Sequence, residues 1–556
     1  MTTDALSRPR TGTGAEADAG HGGFGWLLRS EWTKFHTVRG WVIGMIVAAI
    51  LTVFVGLFAA GNANIGCQNS PNGPTLTGKA CLPYIPHGPG GEVVSDSFNF
   101  AHQPLTGNGS ITARVISLTG EHANITNGHG AQVGSALVPG LAPWSKAGII
   151  IKQSLHQGSA YAAMMVTGGN GVRMQYNYTG DTAGLPGKVS AADPRWLRLT
   201  RSGDTITGYD STDGRHWTQV SAVTLTGLPA TVQAGLLATS PGYTVTNTSF
   251  GGDSNNGGPS QATGVFDDLS VSGTPAGGKW AHVAVGGGGP VGSGPAGNGP
   301  AGSGPAGRGP SGFTEAGGTY TLTGSGDIAP ATPGPDSAYP AATIEQSLAG
   351  AFIGLIAIVV VAAMFVTAEY RRGLIRTTLA ATPRRGAVLA AKAIVAGGVA
   401  FVVGLVASTV AIAVGVQLET NNGQVVLPVS ALTEIRVVAG TAAMLALAAV
   451  FAVALGAVLR RSAAAITIAI VTVVLPFLLA GLNVFPSGVG DWLLRLTPAA
   501  GLAIEQSIPN YPQVTSVINP TDGYYPLPPL AGFAVLCAWA GAGLALACYV
   551  LRRRDA

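Results

Sequence analysis

The sequence predicts a polytopic α-helical membrane protein of six spans, both termini cytoplasmic, with an extracellular all-β sandwich inserted between spans one and two. Three observations predict it. Its 556 residues are 47% hydrophobic and only 10% charged, with a mean hydropathy of +0.36, and so small a charged fraction cannot coat several soluble globules. Six apolar runs are each long enough to cross a hydrocarbon core of about 30 Å at about 1.5 Å per residue. Between the first two of these runs, residues 61–343 read instead as short strands and turns.

Residues 1–22 are rich in Gly, Ala, Thr and mixed charge and are expected to be disordered. No cleavable signal peptide is expected, because the first apolar run begins only after residue 40 and is too long for one. From Phe24 to Arg39 a short helix is predicted: Phe24, Leu28, Trp32 and Phe35 share a face, with Arg29, Lys34 and Arg39 between them. Glu31 and Arg39 intrude on that face, so an interfacial helix and a plain basic lead-in to the first span are equally good readings.

The spans are read at Trp41–Ala60, Leu348–Thr367, Ala393–Val416, Val437–Leu459, Ala463–Leu482 and Leu530–Leu551. Arg29, Lys34 and Arg39 precede the first; Arg371, Arg372, Arg376, Arg384, Arg385 and Lys392 follow the second. Arg460 and Arg461 follow the fourth, and Arg552, Arg553 and Arg554 follow the sixth. All these clusters fall on one side, which the positive-inside rule makes cytoplasmic in the plasma membrane. The loops 417–436 and 483–529, with Glu419, Glu434, Asp491 and Asp522, then belong outside, as does the insertion. The net charge of +4 is accounted for by these span-end arginines, so nucleic acid is not an expected partner. Pro476 should kink span five, and the segment after it, weakly amphipathic from Trp492 to Ile504, is expected to dip back toward the outer face. Gly397, Gly398, Gly404 and Ser408 along span three are expected to let a neighbouring helix approach closely.

Within the insertion, 61–91 is Pro/Gly-rich and carries Cys67 and Cys81, a plausible disulfide outside the cell; Cys537 and Cys548 lie in the last span. From 92 to 273 the pattern is short strands. Gly171–Thr179 alternates Val172, Met174, Tyr176 and Tyr178 with polar residues, and Trp196–Arg201 and Thr205–Tyr209 read as two strands joined at Ser202 and Gly203. Many short strands with Gly/Asp turns argue a β-sandwich. Residues 274–343 contain a five-residue repeat from Gly286 to Gly312 (GPVGS, GPAGN, GPAGS, GPAGR), whose period rules out collagen and reads as a tether holding the sandwich off the membrane without fixed orientation. Spans two to six occupy 344–556.

Trp144 with Lys146, Ala147 and Gly148, the run WLRLTRSGDTITGYDSTDGRHW from Trp196 to Trp217, QAGLLATS, and FDDLSV from Phe266 to Val271 resemble the concanavalin A-like, jelly-roll lectin and glucanase-like domains. That resemblance implies a fold, with a glycan as a possible ligand and Tyr176, Tyr178 and Trp217 as candidate stacking residues. Glycosidase activity needs two carboxylates facing one cleft. Asp267 and Asp268 are adjacent and are expected to point to opposite faces, on a terminal strand that pairs near Asp96–Phe100 and closes the sandwich.

One phosphate-loop lookalike, Gly73 to Gly78 and Lys79, has Ala80 where a hydroxyl is needed and no preceding strand, so this chain is not expected to hydrolyse ATP, nor to be an enzyme. Ionisable residues are absent from the span centres, which weighs against an ion-coupled carrier.

The lead-in LLRSEWTKFHTVRGW, the loop AEYRRGLIRTTLAATPRRGAVLAAK and the six spans together resemble the permease subunit of bacterial ABC-2 type exporters. The resemblance implies an elbow helix before span one and a coupling loop between spans two and three that docks on a separate ATPase chain. Carried onto this sequence, the coupling residues are Glu369, Tyr370, Arg371, Arg372, Gly373, Arg376 and Thr377, with Arg384 and Arg385 at the far side of the loop. It also implies a permease dimer, with ATP and magnesium held by the partner ATPase and no cofactor on this chain. The large first outer loop departs from that family. The rival expectation is a membrane-tethered lectin-like receptor without transport.

Overall fold

The computed structural model describes residues 23–553 apart from 64–65, 69–74, 82–83, 126–136, 250–251, 274–279, 287–311, 334–338, 375–383, 482–483, 486 and 515–518. The calls on 1–22, Arg376, Thr377 and Arg554, and nearly all of the Gly/Pro repeat, lie outside the described residues.

Nine helices are used below: α1 (Phe24–Thr37), α2 (Arg39–Asn62), α3 (Ala349–Arg371), α4 (Arg385–Asn421), α5 (Ala431–Leu459), α6 (Ser462–Val473), α7 (Leu475–Gly481), α8 (Ser487–Leu496) and α9 (Pro529–Arg553). Six stretches are long and apolar enough to cross a membrane, at Arg39–Asn62, Ile344–Arg371, Arg385–Asn421, Ala431–Leu459, Ser462–Gly481 and Pro529–Arg553. Each predicted span lies within one of these to within a residue; α4 is the most extended, because no Gly or Pro stops the helix at either end of its apolar run. The fifth stretch breaks at Val474 into α6 and α7, where Pro476 removes one backbone donor.

Small residues set the helix contacts. Gly350 and Gly354, one turn apart on α3, bring the backbone of α2 so close that a Cβ on Gly350 would meet the Thr52 carbonyl oxygen at 1.9 Å. Gly397 and Gly404 similarly seat α4 on α5, where a Cβ would meet Val450 at 3.0 Å and Leu445 at 2.9 Å, and Ser408 donates to the Val438 carbonyl oxygen of α5. Gly398, expected in the same role, faces open space instead. After α8, all eight residues of the 3-10 turn Pro498–Glu505 are buried, with Gly532 of α9 packed on the Ala500 carbonyl.

The insertion is a β-sandwich of two antiparallel sheets. One has seven strands in the order Gly180–Ala183, Val172–Tyr176, Tyr161–Thr167, Lys146–Lys152, Thr231–Thr239, Phe98–Thr106, Ala281–Val285. The other has eight: Thr218–Thr224, Thr205–Ser211, Arg195–Ser202, Gly109–Ala123, Ser260–Ser272, Thr319–Gly324 and Phe313–Ala316 in order, with Leu137–Pro139 beside Gly109–Ala123. Ile149, Met164, Leu197, Ile206, Leu236 and Phe266 fill the space between them. The seven-stranded sheet is buried on its outer face as well, by Phe98, Phe100, Ile150, Tyr161, Met165 and Tyr178 packed with Val94 and Ile328. That double burial explains the runs KAGIIIK and YAAMMVT, apolar without alternation and buried at every position.

Several expectations change here. The predicted strand Gly171–Thr179 ends at Tyr176, because Asn177 and Tyr178 take left-handed φ values of 44° and 64°. Tyr178 is thereby carried to the outer face, 1% exposed, and cannot stack on a sugar. The FDDLSV strand is internal to the eight-stranded sheet, not terminal, since Thr319–Gly324 and Phe313–Ala316 lie beyond it; Phe98–Thr106 pairs instead with Ala281–Val285 and Thr231–Thr239. Asp267 and Asp268 do not oppose each other. Asp268 has φ 47° at a register break, and both carboxylates reach the Arg114 guanidinium, at 2.6 Å for Asp267 Oδ1 and 3.4 Å for Asp268 Oδ2.

Nor is the sandwich free on a tether. The Gly/Pro repeat connects, in sequence, one edge strand of each sheet, so the sandwich extends to Pro330, well past the expected boundary at 273. Its two exits, Val94–Asp96 and Ile328–Pro330, pair with each other and lie across the outer face of the seven-stranded sheet. Two fully buried lysines clamp them: Lys152 Nζ lies 2.7 Å from Asp96, and Lys146 Nζ lies 2.6 Å from Asp327. Val93 and Ala331 then pack directly on Val425, Leu427 and Ile508 of the loops between the helices, and Ala341–Ala342 pairs with Val425–Val426. Short apolar contacts replace a swinging linker.

Candidate functional site

The segment joining α3 and α4 carries Arg371, Arg372, Arg376, Arg384 and Arg385, and its root is built from three helices. Glu369 lies on the last turn of α3, one turn beyond Phe365; Glu31 on α1 lies one turn before Phe35. The two rings meet edge to face with centroids 5.3 Å apart, and Trp41 closes on Phe365 at 5.0 Å. Above this aromatic floor Lys392, from α4, lies 2.6 Å from Glu31 and 2.7 Å from Glu369. Lys34 makes the fourth corner, 2.7 Å from Glu31 and 3.2 Å from Glu369.

Two carboxylates face two ammonium groups. Glu31 is 0% exposed, Lys392 2% and Glu369 5%, so three charges sit away from water and only mutual pairing makes that tolerable. Glu369 Oε2 has no hydrogen-bond partner among the described residues. Burial lowers the affinity of Lys34 for its proton, but Glu31 and Glu369 outweigh it and hold its pKa above the ordinary lysine value of 10.5. The geometry ties the helix before the first span to the ends of α3 and α4, so displacement of one pulls on the other two.

The predicted coupling residues divide. Glu369 points inward as part of this cluster and is not available to a partner. Tyr370 is half-buried with the Arg460 guanidinium 5.3 Å from its ring, and Arg385 donates to the Leu551 carbonyl of α9 at 2.7 Å. Arg371, Arg372 and Gly373 are exposed, as are Leu374 and Arg384; Gly373 turns the chain with φ 71°. Sequence reasoning missed Glu31, Lys34 and Lys392 as site residues. Its own signal was present: Glu31 broke the amphipathic pattern of α1 because the fold buries that position, while Trp32 of the predicted apolar face stays 50% exposed.

On the sandwich, Tyr176 is half-buried against the core, and Trp217, half-buried, has one ring face covered by the Arg198 guanidinium at 3.8 Å. Cys81 is disulfide-bonded and Cys537 and Cys548 are free; the side chain of Cys67 lies outside the described residues. Among the described residues no cluster of three His, Cys, Asp or Glu side chains could hold a metal ion.

No family model matches the chain, and no curated protein matches it either. Matching solved structures include a functionally unknown protein from Saccharomyces cerevisiae, at 13% identity over 35% of this chain and 85% of that one, with a TM-score of 0.19. A GH43 protein, BlXynB, from Bacillus licheniformis matches at 14% identity over 24% of each chain, TM-score 0.16. SCP-B, a member of the eqolisin family of peptidases, matches at 7% identity over 42% of this chain and all of that one, TM-score 0.21. Scores this low carry no argument about what this chain does.

Proposed function

We propose that the chain is the membrane-spanning permease subunit of an ATP-driven exporter of the ABC-2 type. In this reading it lies in the plasma membrane with both termini inside and residues 61–343 outside, forms a permease dimer, and takes its energy from a separate ATPase chain that holds ATP and magnesium. The observation that carries it is the root of the α3–α4 hairpin: a buried four-charge cluster on an aromatic floor joins α1, α3 and α4, while Arg371, Arg372, Leu374 and Arg384 remain exposed beyond it. A rigid root flanked by exposed basic residues suits a lever pushed by a partner, since interfaces favour arginine anchors. The sandwich, seated on the outer loops, would serve as a binding module for an envelope glycan or the exported substrate.

The test is affinity purification of the full chain from its native membrane in mild detergent, against a variant carrying Arg371→Glu and Arg372→Glu. Both residues are exposed, so the fold is kept. An ATPase subunit with a full phosphate loop should accompany the natural chain and be lost from the variant. If the variant retains the ATPase, the arginines set topology only. If neither form brings one down, the permease reading fails and a membrane-tethered lectin-like receptor is the better account.

A further inference from the structure

Beside the charge cluster, a groove of about 520 Å³ runs between α1 and α4, lined by Leu28 and Trp32 on one wall and Ile394, Gly398, Val399 and Val402 on the other, with Arg29 at its rim. The α4 residues recur at helical spacing on one face, over a length of roughly 12 Å. Among the described residues no side chain fills this space: Ile394 is 52% exposed, Val402 59%, and a Cβ at Gly398 would meet no atom within 4 Å.

Charge singles out the occupant. Glu31, the acid of α1, is buried against Lys34 and Lys392, so the outer surface of this helix presents Arg29 with no carboxylate of its own against it. Exposed Trp26 and Trp32 flank Arg29. Indole rings and a guanidinium at the rim of an apolar slot match a lipid whose phosphate sits in the interfacial layer and whose acyl chain runs from it into the slot. A second protein helix would leave the guanidinium without a counter-charge unless it brought its own acid.

We propose that this groove is a binding site for an anionic phospholipid, one acyl chain lying along Gly398 between α1 and α4 and the phosphate held by Arg29. The bound chain would pack the outer side of α1, whose inner side is fixed by Glu31 and Phe35. The site does not depend on the ATPase reading, because it requires only that the helices sit in a bilayer.

The experiment is photo-cross-linking of the full-length protein, reconstituted in vesicles, with phosphatidylglycerol or phosphatidylcholine carrying the same diazirine-labelled acyl chain. Adducts mapped by mass spectrometry should fall within 28–32 and 394–403, several-fold more with phosphatidylglycerol. Arg29→Gln, a change at an exposed side chain, should equalise the two lipids, and Gly398→Leu, which has room for its side chain, should abolish both adducts. Equal labelling by both lipids in the natural chain, or adducts in the groove that survive Gly398→Leu, would overturn the proposal. So would a gain in oligomeric mass on removing lipid, which would make the groove a contact between copies.

Discussion

The two ends of the helical bundle both bury carboxylates, and they compensate them in opposite ways. At the end bearing the α3–α4 hairpin, Glu31 and Glu369 are met by Lys34 and Lys392. At the end bearing the sandwich, Glu345, Glu419 and Glu505 are also buried, but their hydrogen bonds come from the Ser507 backbone amide at 3.2 Å, the Ser347 hydroxyl at 3.1 Å and the Thr441 hydroxyl at 3.1 Å. Arg436, nearby in sequence to Thr441, commits its donors to the Ile504 and Gln506 carbonyls instead. One end is held by ion pairs between separate helices and the other by neutral donors and close packing. An ion-pair cluster holds its members in one arrangement only while all are present, whereas neutral contacts tolerate loss of charge.

The largest expected effect breaks the paired end. Lys392→Met leaves Glu31 and Glu369 sharing Lys34 alone, and should cost about 3–5 kcal/mol, the range for stranding a buried partner. Denaturant unfolding of the full chain in mild detergent reads it, and a loss under about 1 kcal/mol would show the cluster to be hydrated in practice. Glu369→Gln keeps the shape and removes one charge, so about 1–3 kcal/mol is expected, the cost of leaving an ionised donor under-compensated.

A smaller effect sharpens the contrast through pH. Since the pKa of Lys34 is raised in the folded chain, its contribution is fully present below its ordinary value of 10.5 and is lost as pH rises through the higher folded value. Limited proteolysis within 24–39 should therefore increase on alkaline titration above about pH 10.5, and Lys34→Gln should remove that dependence. The smallest effect is expected at the other end: Glu505→Gln retains an acceptor for Thr441 and should change stability by less than about 1 kcal/mol. A loss equal to that of Glu369→Gln would erase the distinction between the two ends.

Much of the bundle was legible because a bilayer allows few solutions: apolar runs of sufficient length must be helices with every backbone group satisfied internally. The sandwich was legible as a class through its short strands and Gly/Asp turns, and the Trp196–Arg201 and Thr205–Tyr209 hairpin appears as Arg195–Ser202 and Thr205–Ser211. Its details failed where the backbone departed from period two. Tyr178 followed the alternation of Val172 and Met174 in sequence, but two left-handed residues moved it to the opposite face. Glu369 was expected among the coupling residues that face a partner, whereas the fold turns it inward onto Lys392.

Local composition and periodicity, then, determined the helices, the strand-rich insertion and the clustering of basic residues on one set of span ends. Those follow from the hydrophobic effect and backbone hydrogen bonding, which act on neighbours along the chain. Only the tertiary structure decided that Glu31 meets a lysine 361 positions away, that buried Lys146 and Lys152 clamp both exits of the sandwich, and that the sandwich rests on the helices rather than swinging from a Gly/Pro tether. The physical reason is shared: a buried charge is stable only beside its partner, and the sequence names the charge without naming the partner.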